Sequence, residues 1–157
     1  RGATMTSPWH LAKRLVGAAV AQPLRSAEVN EVAAILTPTE LQLFRQLSTP
    51  DQRHALHVLR RFDAFVAEAL HVAPPVAGRR AALLHDIGKA QAPLGTVMRI
   101  VATIVGPRAP AFRRYHEHET IGFAMLEQAG SDPITVMLLR GQGDAQLVAA
   151  LRRADAI

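Results

Sequence analysis

The chain contains no cysteine. Disulfides and thiolate metal sites are thereby excluded, so any metal must be held by His, Asp or Glu. The same absence suits a reducing compartment, and the sequence reads as cytoplasmic. Aromatic residues are scarce, with one Trp, one Tyr and five Phe among 157 residues. The core must be built from Leu, Val, Ile and Ala, a composition that favours helices over strands. No apolar run approaches the roughly 20 residues of a membrane span, so no membrane partner is expected. Behind Met5, the pair Lys13–Arg14, the apolar run Leu15–Ala21 and the ending Ala19-Val20-Ala21 loosely mimic a secretion leader. The run is short for that role and is read as an ordinary helix.

What is present is 49% hydrophobic sequence with a net charge of +5. That is the balance of a globular domain and not of a disordered tail. The basic residues come in pairs, among them Arg60–Arg61, Arg79–Arg80, Arg113–Arg114 and Arg152–Arg153. Scattered pairs are the mark of solvated helix faces more than of one nucleic-acid stripe, so nucleic-acid binding is disfavoured. A basic surface also draws small phosphates.

Start and stop signals cut the chain into helices. Ser7-Pro8 opens a first helix that Pro23 ends. Thr37-Pro38-Thr39-Glu40 reads as a capping box, and Thr49-Pro50-Asp51-Gln52 repeats the device. The second box starts a long helix with Ala55, Val58, Leu59, Phe62, Phe65, Val66, Ala69 and Leu70 at helical spacing, ended by Pro74-Pro75. Val76 to about Ile87 forms the next helix, with Gly88 as its stop. Thr96 to Val105 is apolar and β-branched; it reads as a helix, and as a strand it has nothing to pair with. Residues 106–111 read as a loop. His118 to Gln128 closes on Gly130, Asp132-Pro133 opens a helix to about Arg140, and Asp144 caps the last one. The expected fold is all-α, a single-domain bundle of seven to nine helices. In it an N-terminal segment over 1–48 packs on a domain over 49–157.

The chemistry concentrates in the run Ala81-Ala82-Leu83-Leu84-His85-Asp86-Ile87-Gly88-Lys89. An apolar helix here ends in two metal-competent side chains, then a glycine, then a lysine. Helical neighbours point about 100° apart, so His85 and Asp86 can share an ion only in the wedge between them. Lys89 supplies a point charge about one turn away, suited to a phosphate. Taken alone, the pair also reads as a capping His beside a solvated Asp. It is accompanied by His54 with His57 three residues later, by the cluster His116-Glu117-His118-Glu119, and by Asp155. Asp155 follows Leu147, Val148 and Leu151, which turn its helix inward, and a carboxylate there is costly unless paired or coordinated.

The order His, His-Asp, distant Asp resembles the HD-domain superfamily of metal-dependent phosphohydrolases. Arg53-His54-Ala55-Leu56-His57-Val58 resembles the first motif, Leu83 to Lys89 the second in its Ile-Gly-Lys variant, and Ala154-Asp155 the last. The segment His118-Glu119-Thr120-Ile121-Gly122 resembles a stretch that often carries an extra histidine. The resemblance spans residues 50 to 157.

It implies one divalent ion (Mn, Fe, Co, Ni, Zn or Mg) held by His54, His85, Asp86 and Asp155. Asp86 would also orient the attacking water, with Lys89 its catalytic companion. Lys89, His118 and Arg53 would contact the substrate, a small phosphorylated molecule such as a nucleotide. His57 and His116 would support the ligands from behind, although His57 also reads as a satisfied core histidine and His116 as solvated. Two-metal relatives carry a further histidine where this chain has Arg140-Gly141-Gln142-Gly143, which favours one ion. The competing reading is a catalytically weak or inactive regulatory module that binds metal or nucleotide. A homodimer fits either reading.

Overall fold

The structure, a computed structural model, describes residues 22–91 and 118–156. Among these residues the chain is entirely helical. It forms α1 (Ser26–Ala33), α2 (Pro38–Phe44), α3 (Thr49–Leu70), α4 (Val76–Leu84), a 3-10 turn (Ile87–Gln91), α5 (His118–Gln128), α6 (Pro133–Leu139) and α7 (Ala145–Asp155). Seven α-helices sit at the low end of the expected count. The expected first helix, the apolar 96–105 segment and the 106–111 loop lie outside the described residues. None of the described helices is long and apolar enough to cross a membrane.

Local chemistry sets most boundaries. The Thr37 hydroxyl accepts from the Glu40 amide at 3.2 Å while the Glu40 carboxylate accepts from the Thr37 amide at 2.9 Å, a closed capping box. Asp132 and Asp144 accept from the first amides of α6 and α7. The cap of α3 falls one residue earlier than the motif suggests: Ser48, not Thr49, accepts from Asp51. This puts Pro50 at the second helical position. The helix ends at His71, in the left-handed conformation with φ 55, ahead of the Pro74-Pro75 pair. Those prolines lead into α4, for which Pro75 is the N-cap.

Helix α3 is the spine. Its Ala55, Leu56, Val58, Leu59, Phe62 and Val66 are fully buried, and emptying one of the larger of these positions would cost about 2–5 kcal/mol. Helix α4 lies along it so closely that a Cβ at Gly78 would stand 2.4 Å from Phe62 Cζ. Helix α7 packs on the other flank of α3, and α6 covers α4, where the Thr135 hydroxyl donates to the Ala77 carbonyl. Val32, Ile35, Leu36, Phe44 and Leu47, all from the segment before residue 49, belong to this same core.

Gly88 does not end a helix in a left-handed turn, as the sequence suggests. Helix α4 stops at Leu84 with His85 as its cap, and Gly88 lies buried within the 3-10 turn. Close approach is demanded at Gly122 of α5 instead. A Cβ there would meet the Gly88 nitrogen at 3.1 Å and Ile87 Cγ2 at 3.2 Å.

Candidate metal centre

Three helices deliver three donors to one point. His54 comes from the first turns of α3, His85 caps α4, and Asp155 is the last residue of α7. Their ligand atoms all lie within 4.8 Å of one another. His54 Nε2 is 3.0 Å from Asp155 Oδ1, and His85 Nε2 is 3.3 Å from the same oxygen. Two ligands each about 2.1 Å from one cation at tetrahedral or octahedral angles are themselves about 3.0–3.4 Å apart, so the His54–Asp155 hydrogen bond and the His85–Asp155 ion pair also match the edge of a coordination shell.

The tautomer of His85 is set by its place at the helix end. Its Nδ1–H donates to the Ala82 carbonyl at 2.8 Å, one of the carbonyls that a helix C-terminus leaves unpaired. Nε2 then faces the cluster. It is buried and makes no hydrogen bond: Asp86 Oδ2 and Asp155 Oδ1 stand 3.3 Å away on either side, but off the line a hydrogen bond requires. A buried ring nitrogen that makes no hydrogen bond, next to a second imidazole and a carboxylate, fits a divalent ion of the borderline class.

The charges of the site hold one another. Burial lowers the His85 pKa, but Asp155 and Asp86 outweigh it and push the imidazole up to about 10. Burial likewise works against ionised Asp86, yet His85 and the Lys89 ammonium hold its carboxyl well below the usual range. Asp155 is held low by His54 and then His85. Asp86 therefore lies beside the three-donor cluster without joining it, ion-paired to Lys89 across one turn of the 3-10 segment.

The donors open onto a cleft of about 460 Å³, the size that takes a small organic ligand. Asp86 and Lys89 line it, and Phe123, Leu138, Val148 and Leu151 form an apolar wall. The remaining residues singled out from the sequence fall elsewhere. Arg53 does not line the cleft. Its guanidinium donates to the carbonyls of Gln22 and Pro23 at 2.9 and 2.8 Å and pairs with Glu28, which clamps the chain ahead of α1 onto α3. That placement corrects its expected role in substrate binding. His57 is exposed and off the cleft, so it does not fill the core. His116 and the side chain of His118 lie outside the described residues.

Two groups escaped the sequence reading. Arg61 donates from Nε to the Ala154 carbonyl at 2.7 Å and so fixes the end of α7 beside Asp155; its Nη2 is buried without a partner. Arg152 lines the cleft one turn before Asp155. The spacing of three from Asp155 was the available signal.

No protein-family model, curated protein or solved structure matches the chain.

Proposed function

We propose that the chain is a metal-dependent phosphohydrolase of HD-domain type, acting on a phosphate ester of a nucleotide or a related small phosphorylated molecule in the cytoplasm. The observation that carries this reading is the convergence of His54, His85 and Asp155, with the Nε2 of His85 buried and without a hydrogen bond between two carboxylates. The resemblance of the Leu83–Lys89 run supports it independently. At such a centre a divalent cation supplies Lewis acidity toward a phosphoryl oxygen and toward water.

The protein residues supply the rest. With Nδ1–H of His85 fixed on the Ala82 carbonyl, Nε2 would be its ligand atom once its proton is given up to the incoming cation, and His54 and Asp155 would be the other protein ligands. Asp86, buried and ionised, would orient an attacking water by accepting a hydrogen bond from it. Lys89 holds Asp86 ionised and offers its positive charge to phosphate oxygens as charge builds on them.

Elemental analysis of the purified protein and hydrolysis of an aryl phosphate test this. About one equivalent of divalent metal, lost in His85→Ala together with hydrolysis, is expected. Absence of metal under saturating Mn²⁺ sinks the reading. Stoichiometric metal with no turnover on a panel of nucleotides and aryl phosphates would leave the regulatory module in its place.

A further inference from the structure

The cleft carries more positive charge than the metal cluster uses. Lys89, Arg140 and Arg152 all line it. Two of the three are engaged: Lys89 with Asp86, and Arg140 with Glu127 at 2.6 Å while lying over the Phe123 ring. Neighbouring Arg153 stacks on Phe65. The exposed side chain of Arg152 has no hydrogen-bond or ion-pair partner among the described residues.

The position of that guanidinium depends on a glycine. Gly141 follows the end of α6 with φ +72, and its amide donates to the Leu138 carbonyl while Gln142 donates to Met137. This is the left-handed helix stop that glycine adopts without strain. A Cβ at Gly141 would stand 2.6 Å from Arg152 Nη2. The missing side chain is therefore what lets Arg152 lie across the turn at the mouth of the cleft. Arg152 and Asp155, three apart on α7, both line that cleft.

We propose that Arg152 is the anion-binding residue of the cleft, receiving the non-bridging oxygens of a substrate phosphate beside the metal donors, with Gly141 leaving the space in which its guanidinium lies. A guanidinium fork matches two phosphate oxygens at once, which Lys89 as a single ammonium cannot do. The cleft volume exceeds what inorganic phosphate fills, and Phe123, Leu138, Val148 and Leu151 give the excess an apolar lining. The substrate class is thus a phosphorylated molecule larger than inorganic phosphate. The choice of phosphate as the anion rests on the phosphohydrolase reading.

The test is titration of inorganic phosphate into the full chain by calorimetry at low ionic strength, once after chelator treatment and once with Mn²⁺ added. Arg152→Gln is expected to weaken phosphate binding about tenfold in both conditions, as loss of charge-assisted hydrogen bonds implies, and Arg153→Gln to change it by less than about twofold. A second pair separates placement from charge. Gly141→Ala displaces the guanidinium without removing it. Gly130→Ala imposes the same backbone strain at φ +70 with nothing within 4 Å of the added methyl. Weaker phosphate binding in Gly141→Ala alone supports the role of that space, and equal binding in the two overturns it. The anion site itself falls if the parent protein binds no phosphate in either condition, or if Arg152→Gln binds it as the parent does.

Metal content read on the same samples keeps the two readings apart. A protein that holds phosphate through Arg152 but takes up no metal keeps this site and loses the hydrolase. A protein that holds metal and cleaves aryl phosphate with unchanged KM in Arg152→Gln keeps the hydrolase and loses this site.

Discussion

Arg61 and Ala154 are 93 residues apart in sequence and joined at 2.7 Å, guanidinium Nε to backbone carbonyl. The bond ties the last turn of α7 to α3, seven residues beyond His54 on the same helix. It therefore sets the span between His54 and Asp155, whose side chains meet at 3.0 Å.

Arg61→Ala is expected to cost about 1–2 kcal/mol, because a hydrogen bond from a charged donor is lost at a half-buried site. Urea denaturation measures that. The more specific expectation is weaker divalent-metal binding by the folded variant, recovered in part by Arg61→Lys. Metal affinity equal to the parent's would reduce Arg61 to a packing residue.

Gly78→Ala pits two effects against each other. Alanine gains up to about 1 kcal/mol in a helix interior. Its methyl, however, would enter the ring of Phe62, which is fully buried and has no free space to move into. Overpacking of this kind costs about 1–3 kcal/mol, so a net loss of stability is expected in a denaturant titration.

His57 gives a pH dependence that can be read without the site. Burial of part of the ring, and then the charges of Arg53, Arg61 and Arg60, lower its pKa below 6.5, with His54 adding to the effect. The unfolded chain then binds more protons than the folded one just below that value. Stability falls as pH drops through 6.5 and is recovered above it. A proton NMR titration should place the His57 midpoint below 6.5, and His57→Gln should flatten this part of the stability profile.

Metal removal should be felt by the whole fold. A ligand present at a hundred times its dissociation constant stabilises the folded state by about 2.7 kcal/mol. For a chain of this size that corresponds to a drop of roughly 5–10 °C in Tm on adding chelator. Differential scanning calorimetry reads it, and Asp155→Asn should have a lower Tm with metal and little further response to chelator.

How much of this was legible in the sequence depends on how far each determinant reaches. The Asp132 and Asp144 caps act over two or three residues, and they were read correctly. So was the Thr37–Glu40 box. The end of α3 was misplaced because His71 adopts a left-handed φ that the sequence assigns more readily to Gly or Asn. Gly88 looked like a helix stop because its actual constraint, the backbone of α5 at Gly122, lies far along the chain. Arg53 looked like a substrate contact for the same reason: its partners, Gln22, Pro23 and Glu28, are about thirty positions upstream. The order of the residues brings His54, His85 and Asp155 together as expected, but Asp86, expected as a fourth ligand, stands outside the group, and Asp155, expected to face inward, is exposed. The roles of Arg61 and Arg152 depend on where α7 meets its neighbours, which no local pattern encodes.

Gly122 has a mechanical consequence. With no side chain between them, the backbone of α5 rests directly on the turn that carries Lys89, and the next residue, Phe123, is part of the apolar wall. The two sides of the cleft thus share one tight contact, made against Gly122 by the Gly88 backbone and the Ile87 side chain. Substitutions at Phe123 and Lys89 should therefore be non-additive in a double-mutant cycle, and a single methyl at Gly122 should uncouple them.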